Sequence, residues 1–127
     1  MAIAYALDDG RRRVYARAHG LLTYAGLCDH WYDGARARLA GYDELFDTTA
    51  ADTDLTAEQV RSLFLRACRT PAPGRAGATA IVATDLAVFG LARMYATLCE
   101  GAGVPVTVFR TLLEAERWLD ARHGATR

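Results

Sequence analysis

The stretch that decides the fold runs from Ala78 to Glu100 and reads ATAIVATDLAVFGLARMYATLCE. Its first six residues form a continuous run of small and β-branched side chains, the pattern of a strand covered on both faces. Thr84 and Asp85 then offer side chains that can cap the start of a helix. Apolar residues recur at helical spacing as far as Glu100, and Gly101 follows, where helices commonly end. This stretch therefore predicts a buried strand followed by a long helix.

The rest of the chain repeats this alternation of strand and helix. Strands are predicted at residues 3–7, 13–18, 43–48, 78–83 and 105–109, and helices at residues 24–39, 56–69, 85–100 and 111–122. Asp8-Asp9-Gly10, between the first two strands, is a hairpin signal, so these two strands should be antiparallel. We therefore predict a single α/β domain over residues 1–127. It should contain one layer of mostly parallel sheet, an antiparallel N-terminal hairpin strand and four helices.

The composition is that of an ordinary globular protein and argues against several functional classes. The chain has 127 residues, and 15 basic residues balance 15 acidic ones. A general nucleic-acid binder and a polybasic membrane-surface protein both need an excess of positive charge, so we expect no nucleic-acid partner. No apolar run approaches the ~20 residues that a bilayer span requires, and the first residues lack the basic start of a signal peptide. These features favour a cytoplasmic location.

No arrangement of residues indicates catalysis, a metal site or a cofactor. Cys28, Cys68 and Cys99 are widely spaced and lie among apolar residues of predicted helices, which is typical of reduced structural thiols. No histidine lies at metal-ligand spacing from them, and no glycine-rich loop follows a strand. His30 is expected on the outer side of the first helix, and Ser62 lies within a helix. We therefore predict no catalytic residue, no metal and no cofactor, and we do not expect an enzyme.

Two segments resemble the SpoIIAA-like family. Residues 80–95, AIVATDLAVFGLARMY, resemble its strand and "FGxAR" helix, and residues 106–119, VTVFRTLLEAERWL, resemble its closing strand and "AxxWL" helix. Weaker matches are GLLT at residues 20–23 and DLTAE at residues 54–58. This family is a branch of the STAS-type fold and is structurally related to the SEC14-type lipid carriers. The resemblance spans residues 3–119 and implies a ligand-binding or membrane-associating role and no reaction.

The helix at residues 85–100 carries more apolar surface than packing on a sheet requires. At about 100° per residue, its polar side chains all fall within about 60° of Arg93. A helix that covers one face of a sheet needs an apolar stripe of only about a third to a half of its circumference. Four partners could cover the remainder: a neighbouring helix, a hydrophobic or lipid-like ligand, a second copy of the chain in a homodimer, or a membrane surface.

We expect a ligand cleft between the second and third predicted helices. The candidate ligand-binding residues line this cleft or lie at the carboxyl edge of the sheet: Phe64, Phe89, Arg93, Met94, Thr84 and Asp85. The guanidinium of Arg93 could hold an anionic head group at the rim. A solvated Arg93, or one paired with Glu100, is the simpler interpretation. For Thr84 and Asp85, helix capping alone is a sufficient role.

The alternative function is that of a regulator that switches between protein partners. STAS proteins that antagonise anti-sigma factors resemble this fold and carry a phosphorylated serine at the start of the helix after the third strand. The corresponding place here reads DLTA at residues 54–57, so Thr56 is the residue that phosphorylation would modify. Thr56 also begins a capping box with Gln59, which is a structural role. Ligand binding and partner switching therefore both remain open at this point.

Overall fold

The computed structural model describes residues 2–33, 39, 41–69 and 77–125, with side chains as far as residue 122. The strands are β1 Ala2–Asp8, β2 Arg13–Leu22, β3 Asp43–Thr53, β4 Thr79–Val82 and β5 Val106–Phe109. The helices are α1 Tyr24–Cys28, α2 Ala57–Arg69, α3 Leu86–Gly101 and α4 Leu112–Ala125, and a π-helical turn, Asp29–Asp33, follows α1. The predicted loop at residues 70–77 lies outside the described residues, except for its last residue.

The described strands form one mixed sheet in the order β1-β2-β3-β4-β5. β1 is antiparallel to β2, and every other neighbouring pair is parallel. The predicted α/β class, the mostly parallel sheet and the antiparallel N-terminal strand are confirmed. The described part of the chain also contains the four predicted α-helices, and the first of them changes to a π-helical turn after Cys28.

Helices cover both faces of the sheet. α1, the π-helical turn, α2 and α3 pack over one face, where the larger core lies. α4 packs over the other face and buries Ala115 and Leu119 against β3 and β4. All four residues of β4 are buried, which confirms the prediction that this strand is covered on both faces. The sheet therefore divides the molecule into two apolar cores of different size.

β3 is longer than predicted, because the polar residues after Asp47 form a β-bulge and do not end the strand. Arg17 pairs with Asp47 and His19 pairs with Ala50, so two residues along β2 correspond to three residues along β3. The carboxylate of Asp47 accepts hydrogen bonds from the backbone N–H and the hydroxyl of Thr49, at 2.9 and 2.7 Å. The predicted end at residue 48 is therefore wrong, and β2 and β3 continue together past the end of β4.

The first predicted helix begins in α-helical form and changes to a π-helical turn. α1 ends at Cys28, a π-helical turn follows, and residues 34–38 lie outside the described part of the chain. Nε2 of His30 lies 2.7 Å from Oε2 of Glu44, and Nε1 of Trp31 donates a hydrogen bond to Oε1 of Glu44 at 2.8 Å. The turn thus directs two consecutive rings at one buried carboxylate. His30 is buried, and the prediction that it faces outward is wrong.

The Glu44 contacts predict a large loss of stability when this carboxylate is removed. Glu44→Ala should lower the free energy of unfolding by about 2–5 kcal/mol, because two buried ring nitrogens lose their partner. Urea unfolding followed by tryptophan fluorescence measures the change. Asp52→Ala removes a carboxylate from an exposed position of the same strand and should cost less than about 0.5 kcal/mol. A similarly small cost for Glu44→Ala would contradict the assigned role.

Candidate functional site

An apolar cavity lies between α2, α3 and the sheet, near the carboxyl ends of β2, β3 and β4. Its volume is about 50 Å³, and it is partly open to solvent. Its helical walls consist of Val60 and Leu63 from α2 and Val88, Leu91, Ala92 and Tyr95 from α3. Leu22, Phe46 and Ile81 form part of its floor on the sheet. The cavity therefore lies between the second and third predicted helices, where the sequence predicts a cleft.

The threonine hydroxyls in the cavity wall form hydrogen bonds within the protein. Oγ1 of Thr48 donates to the carbonyl oxygen of Val82 at 2.7 Å. Oγ1 of Thr53 accepts a hydrogen bond from the backbone N–H of Leu55 at 3.0 Å and donates to the carbonyl oxygen of Leu22 at 3.4 Å. Because these hydroxyls are satisfied within the fold, the described lining offers a ligand a mainly apolar surface.

Two aromatic rings close one end of the cavity. The rings of Trp31 and Tyr95 stack at a centroid distance of 5.7 Å and an interplanar angle of 11°. The hydrogen bond from Nε1 of Trp31 to Glu44 fixes the orientation of the Trp31 ring. The hydroxyl of Tyr32 donates to the carbonyl oxygen of Leu63 at 3.2 Å and lies 3.4 Å from the hydroxyl of Tyr95. The wall from the π-helical turn is thereby tied to both α2 and α3.

Burial raises the pKa values of three ionisable groups next to this aromatic pair, Tyr32, Tyr95 and Cys99. Burial raises the pKa of Tyr32 to about 12, and the hydrogen bond with Tyr95 only partly opposes this rise. Burial also raises the pKa of Tyr95 well above its usual value, with a further rise from the nearby Tyr32. The pKa of the Cys99 thiol rises to about 11 for the same reason. These three groups therefore keep their protons well above physiological pH.

None of the predicted wall residues Phe64, Phe89 and Met94 is among those that line this cavity. Phe64 and Met94 are half-buried and pack against the core on the same face of the sheet, but they are not among the residues that line the cavity. Phe89 and Arg93 lie on a different side of α3 from Leu91, facing β5. The structure thus places the predicted wall residue Phe89 beside the predicted cation Arg93, on a side of α3 that does not line the cavity.

Phe89 and Arg93 belong to a second, more polar groove between α3 and β5. This groove has a volume of about 280 Å³, and Thr97, Glu100 and Thr107 also line it. The guanidinium of Arg110 lies over the ring of Phe89, 4.1 Å from its centroid, in a cation–π contact. Arg93 and Glu100 share this groove, which agrees with the simpler interpretation that Arg93 is a solvated residue beside an acidic one.

Thr84 and Asp85 lie where β4 leads into α3, and the capping role accounts for Asp85. Oδ1 of Asp85 accepts hydrogen bonds from the backbone N–H groups of Ala87 and Val88 at 3.0 and 3.1 Å. Thr84 and Asp85 are both exposed. Since Val88 lines the cavity, Asp85 acts on the site by fixing the first turn of the helix that forms its wall.

The residue proposed for phosphorylation, Thr56, forms the predicted capping box. Its Oγ1 accepts a hydrogen bond from the N–H of Gln59 at 3.1 Å, and its own N–H donates to Oε1 of Gln59 at 3.0 Å. Thr56 is exposed, so a kinase could reach it, but the hydroxyl already stabilises the start of α2. Phosphorylation of Thr56 stays a prediction.

The described residues contain no group of three or more His, Cys, Asp or Glu side chains arranged to hold a metal ion. Among the helices described, none is both long and apolar enough to cross a bilayer. Cys28 and Cys99 are buried and Cys68 is half-buried, in agreement with a structural role for these thiols.

Comparisons with protein-family models, with curated proteins and with solved structures give no match to this chain. Its function must therefore be inferred from the geometry described above.

The raised pKa of Tyr32 predicts that the protein loses stability in alkaline solution. The phenol of the unfolded chain loses its proton near its usual pKa of 10.0, whereas the folded Tyr32 holds its proton to about 12. Between these values the unfolded state binds fewer protons, so the free energy of unfolding should fall as the pH rises. Urea unfolding at a series of pH values measures the slope, and Tyr32→Phe should flatten it. Tyr5→Phe, at an exposed tyrosine, is the control, and an unchanged slope in Tyr32→Phe would overturn the assignment.

Proposed function

We propose that this chain is a non-enzymatic binding module for small hydrophobic or lipid-like molecules, with a SpoIIAA-like, STAS-type fold. The observation that carries the proposal is the apolar cavity between α2, α3 and the sheet. Open α/β sheets bind their ligands at the carboxyl ends of the strands, and this cavity lies toward that edge. The sequence resemblance over residues 3–119 and the order of the elements both agree with this family.

The size of the cavity sets the way in which a ligand binds. An engineered apolar cavity of roughly 150 Å³ accommodates benzene, so a space of about 50 Å³ is too small for an acyl chain without some movement. The backbone hydrogen bonds of α2 and α3 lie within each helix, so the two helices can separate without breaking backbone pairing. The ligand accordingly enters as α2 and α3 move apart, and each apolar contact that it makes replaces exposure to water.

Exposed leucines at the same edge support peripheral membrane association. Leu86 begins α3 and has 77% of its surface exposed, and Leu112 and Leu113 begin α4 with 49% and 55% exposed. These helices follow β4 and β5, which are neighbouring parallel strands, so their first turns lie at one edge of the sheet. An apolar edge beside an apolar cavity suits a module that takes its ligand from a lipid surface.

Binding of a fluorescent fatty acid, cis-parinaric acid, tests the cavity. The wild type should give a saturable rise in probe fluorescence. Ala92→Leu should weaken binding by about tenfold or more, because the added atoms occupy the cavity, at a cost of no more than about 1–3 kcal/mol in the free energy of unfolding. Ala87→Leu is the matched control, since it makes the same change at an exposed position of the same helix. Arg93→Ala should leave the affinity unchanged, because Arg93 lines the other groove.

Two results of this titration would count against the proposal. The first is a wild type that does not bind the probe. The second is an Ala92→Leu variant that remains folded by circular dichroism and binds as well as the wild type. A loss of affinity in Arg93→Ala alone would move the binding site to the groove between α3 and β5.

Sedimentation with phosphatidylcholine vesicles tests the leucine edge. The double variant Leu86→Glu with Leu113→Glu should reduce the vesicle-bound fraction by about tenfold or more, because each leucine contributes apolar surface to the contact. Uncharged vesicles suit the test because the chain has no net charge. Leu65→Glu is the control, since Leu65 is exposed on α2, away from this edge. A wild type that stays in the supernatant would remove membrane association from the proposed function.

A further inference from the structure

β1 is an edge strand whose outer side is covered by nothing in the described part of the chain. It pairs only with β2, over Ala2–Asp8. Between residues 2 and 7 it holds no charged residue and no proline, the devices that usually prevent an edge strand from pairing with another chain. The opposite edge of the sheet is the shorter strand β5. β1 therefore presents a row of backbone N–H and C=O groups that another extended strand can pair with.

We propose that β1 pairs with β1 of a second copy of this chain, antiparallel and about a two-fold axis at Tyr5. In that register Tyr5 lies opposite itself, Ile3 lies opposite Leu7, and Ala4 lies opposite Ala6. Large side chains then meet large ones on one face of the sheet, and alanines meet alanines on the other. The two sheets join into one continuous sheet with both β1 strands at its centre.

The exposure of β1 fits this arrangement. Tyr5 has 42% of its surface exposed and Leu7 has 46%, on the face that α1 and the π-helical turn only partly cover. The ring centroid of Tyr5 lies 6.0 Å from that of His30, so Tyr5 contacts the π-helical turn with part of its surface and leaves the rest exposed. A second β1 would cover these side chains and satisfy the backbone groups of the edge at the same time.

The charges around β1 favour a second copy over an unrelated peptide. In the two-fold register Asp8 of each copy lies opposite Ala2 of the other. Ala2 and Ala4 pair within their own copy with His19 and Arg17 of β2, on the same face of the sheet. Asp8 of each copy thus lies on the same face as His19 and Arg17 of the other copy, one strand away across the alanines. Within its own copy Asp8 also pairs with Arg11 at 3.8 Å, and Arg17 pairs with Asp47 at 3.7 Å. No charged residue of β1 lies opposite a residue of like charge, which would oppose pairing.

Charge variants at Tyr5 test this register directly. Tyr5→Glu and Tyr5→Lys each place two like charges opposite one another at the two-fold axis, so each variant should be monomeric by size-exclusion chromatography with light scattering. An equimolar mixture should form dimers again, because Glu then lies opposite Lys. The wild type should change from monomer to dimer as its concentration rises. Circular dichroism should show that both variants remain folded, since Tyr5 is exposed.

Leu65→Glu, a charge added to an exposed position of α2, should leave the dimer intact. A wild type that is monomeric at every concentration would overturn the proposal. So would dimers that survive both Tyr5 variants, or a mixture of the two variants that stays monomeric. Should a Tyr5 variant fail to fold, hydrogen exchange of the wild type gives a second readout. The outer amides of β1 should gain protection as the protein is concentrated, and unchanged exchange would also overturn the proposal.

Discussion

The carboxylate of Glu44 holds the π-helical turn against the centre of the sheet, and much of the larger core depends on this contact. Glu44 is fully buried on β3 and is contacted by ring nitrogens of His30 and Trp31. A buried carboxylate is costly without such partners, so the turn and the strand stabilise each other. Trp31 in turn stacks on Tyr95 of α3, so the contacts that begin at Glu44 reach the cavity wall formed by α3. The shape of the proposed binding site thus rests on a polar contact outside its own lining.

Most of the architecture could be predicted from the sequence, because hydrophobic spacing and capping signals are local. The strand at residues 79–82, the capping of α3 by Asp85 and the capping box at Thr56 all follow from neighbouring residues. The errors arise where a distant contact decides the local structure. The bulge after Asp47 depends on pairing with β2, and the π-helical turn depends on Glu44, which lies far along the chain. Neither contact leaves a periodic pattern in the sequence.

The candidate site was predicted less well than the fold. The sequence predicted a cleft between α2 and α3 with walls from Phe64, Phe89 and Met94, whereas other residues of the same helices line the cavity. Val88, Leu91 and Tyr95, which face the cavity, follow the spacing of one helical face and could have been identified by it. The prediction used the bulkier Phe89 and Met94 of the same helix, which do not line the cavity. The contributions of Trp31 and of the sheet could not be predicted, because they depend on the π-helical turn and on the extension of β3 beyond the bulge.

The strand order has a consequence for how the protein is made. Each strand lies beside the one that precedes it in the chain, so no strand has to be inserted between two that are already paired. A ribosome adds roughly 5–20 residues each second from the N-terminus, and every strand that emerges finds its neighbour already synthesised. α3, which forms one wall of the cavity, emerges after β1 to β4. Until then the apolar floor formed by Phe46 and Ile81 lacks that cover, so the growing chain exposes its proposed ligand-binding surface before the finished protein closes over it.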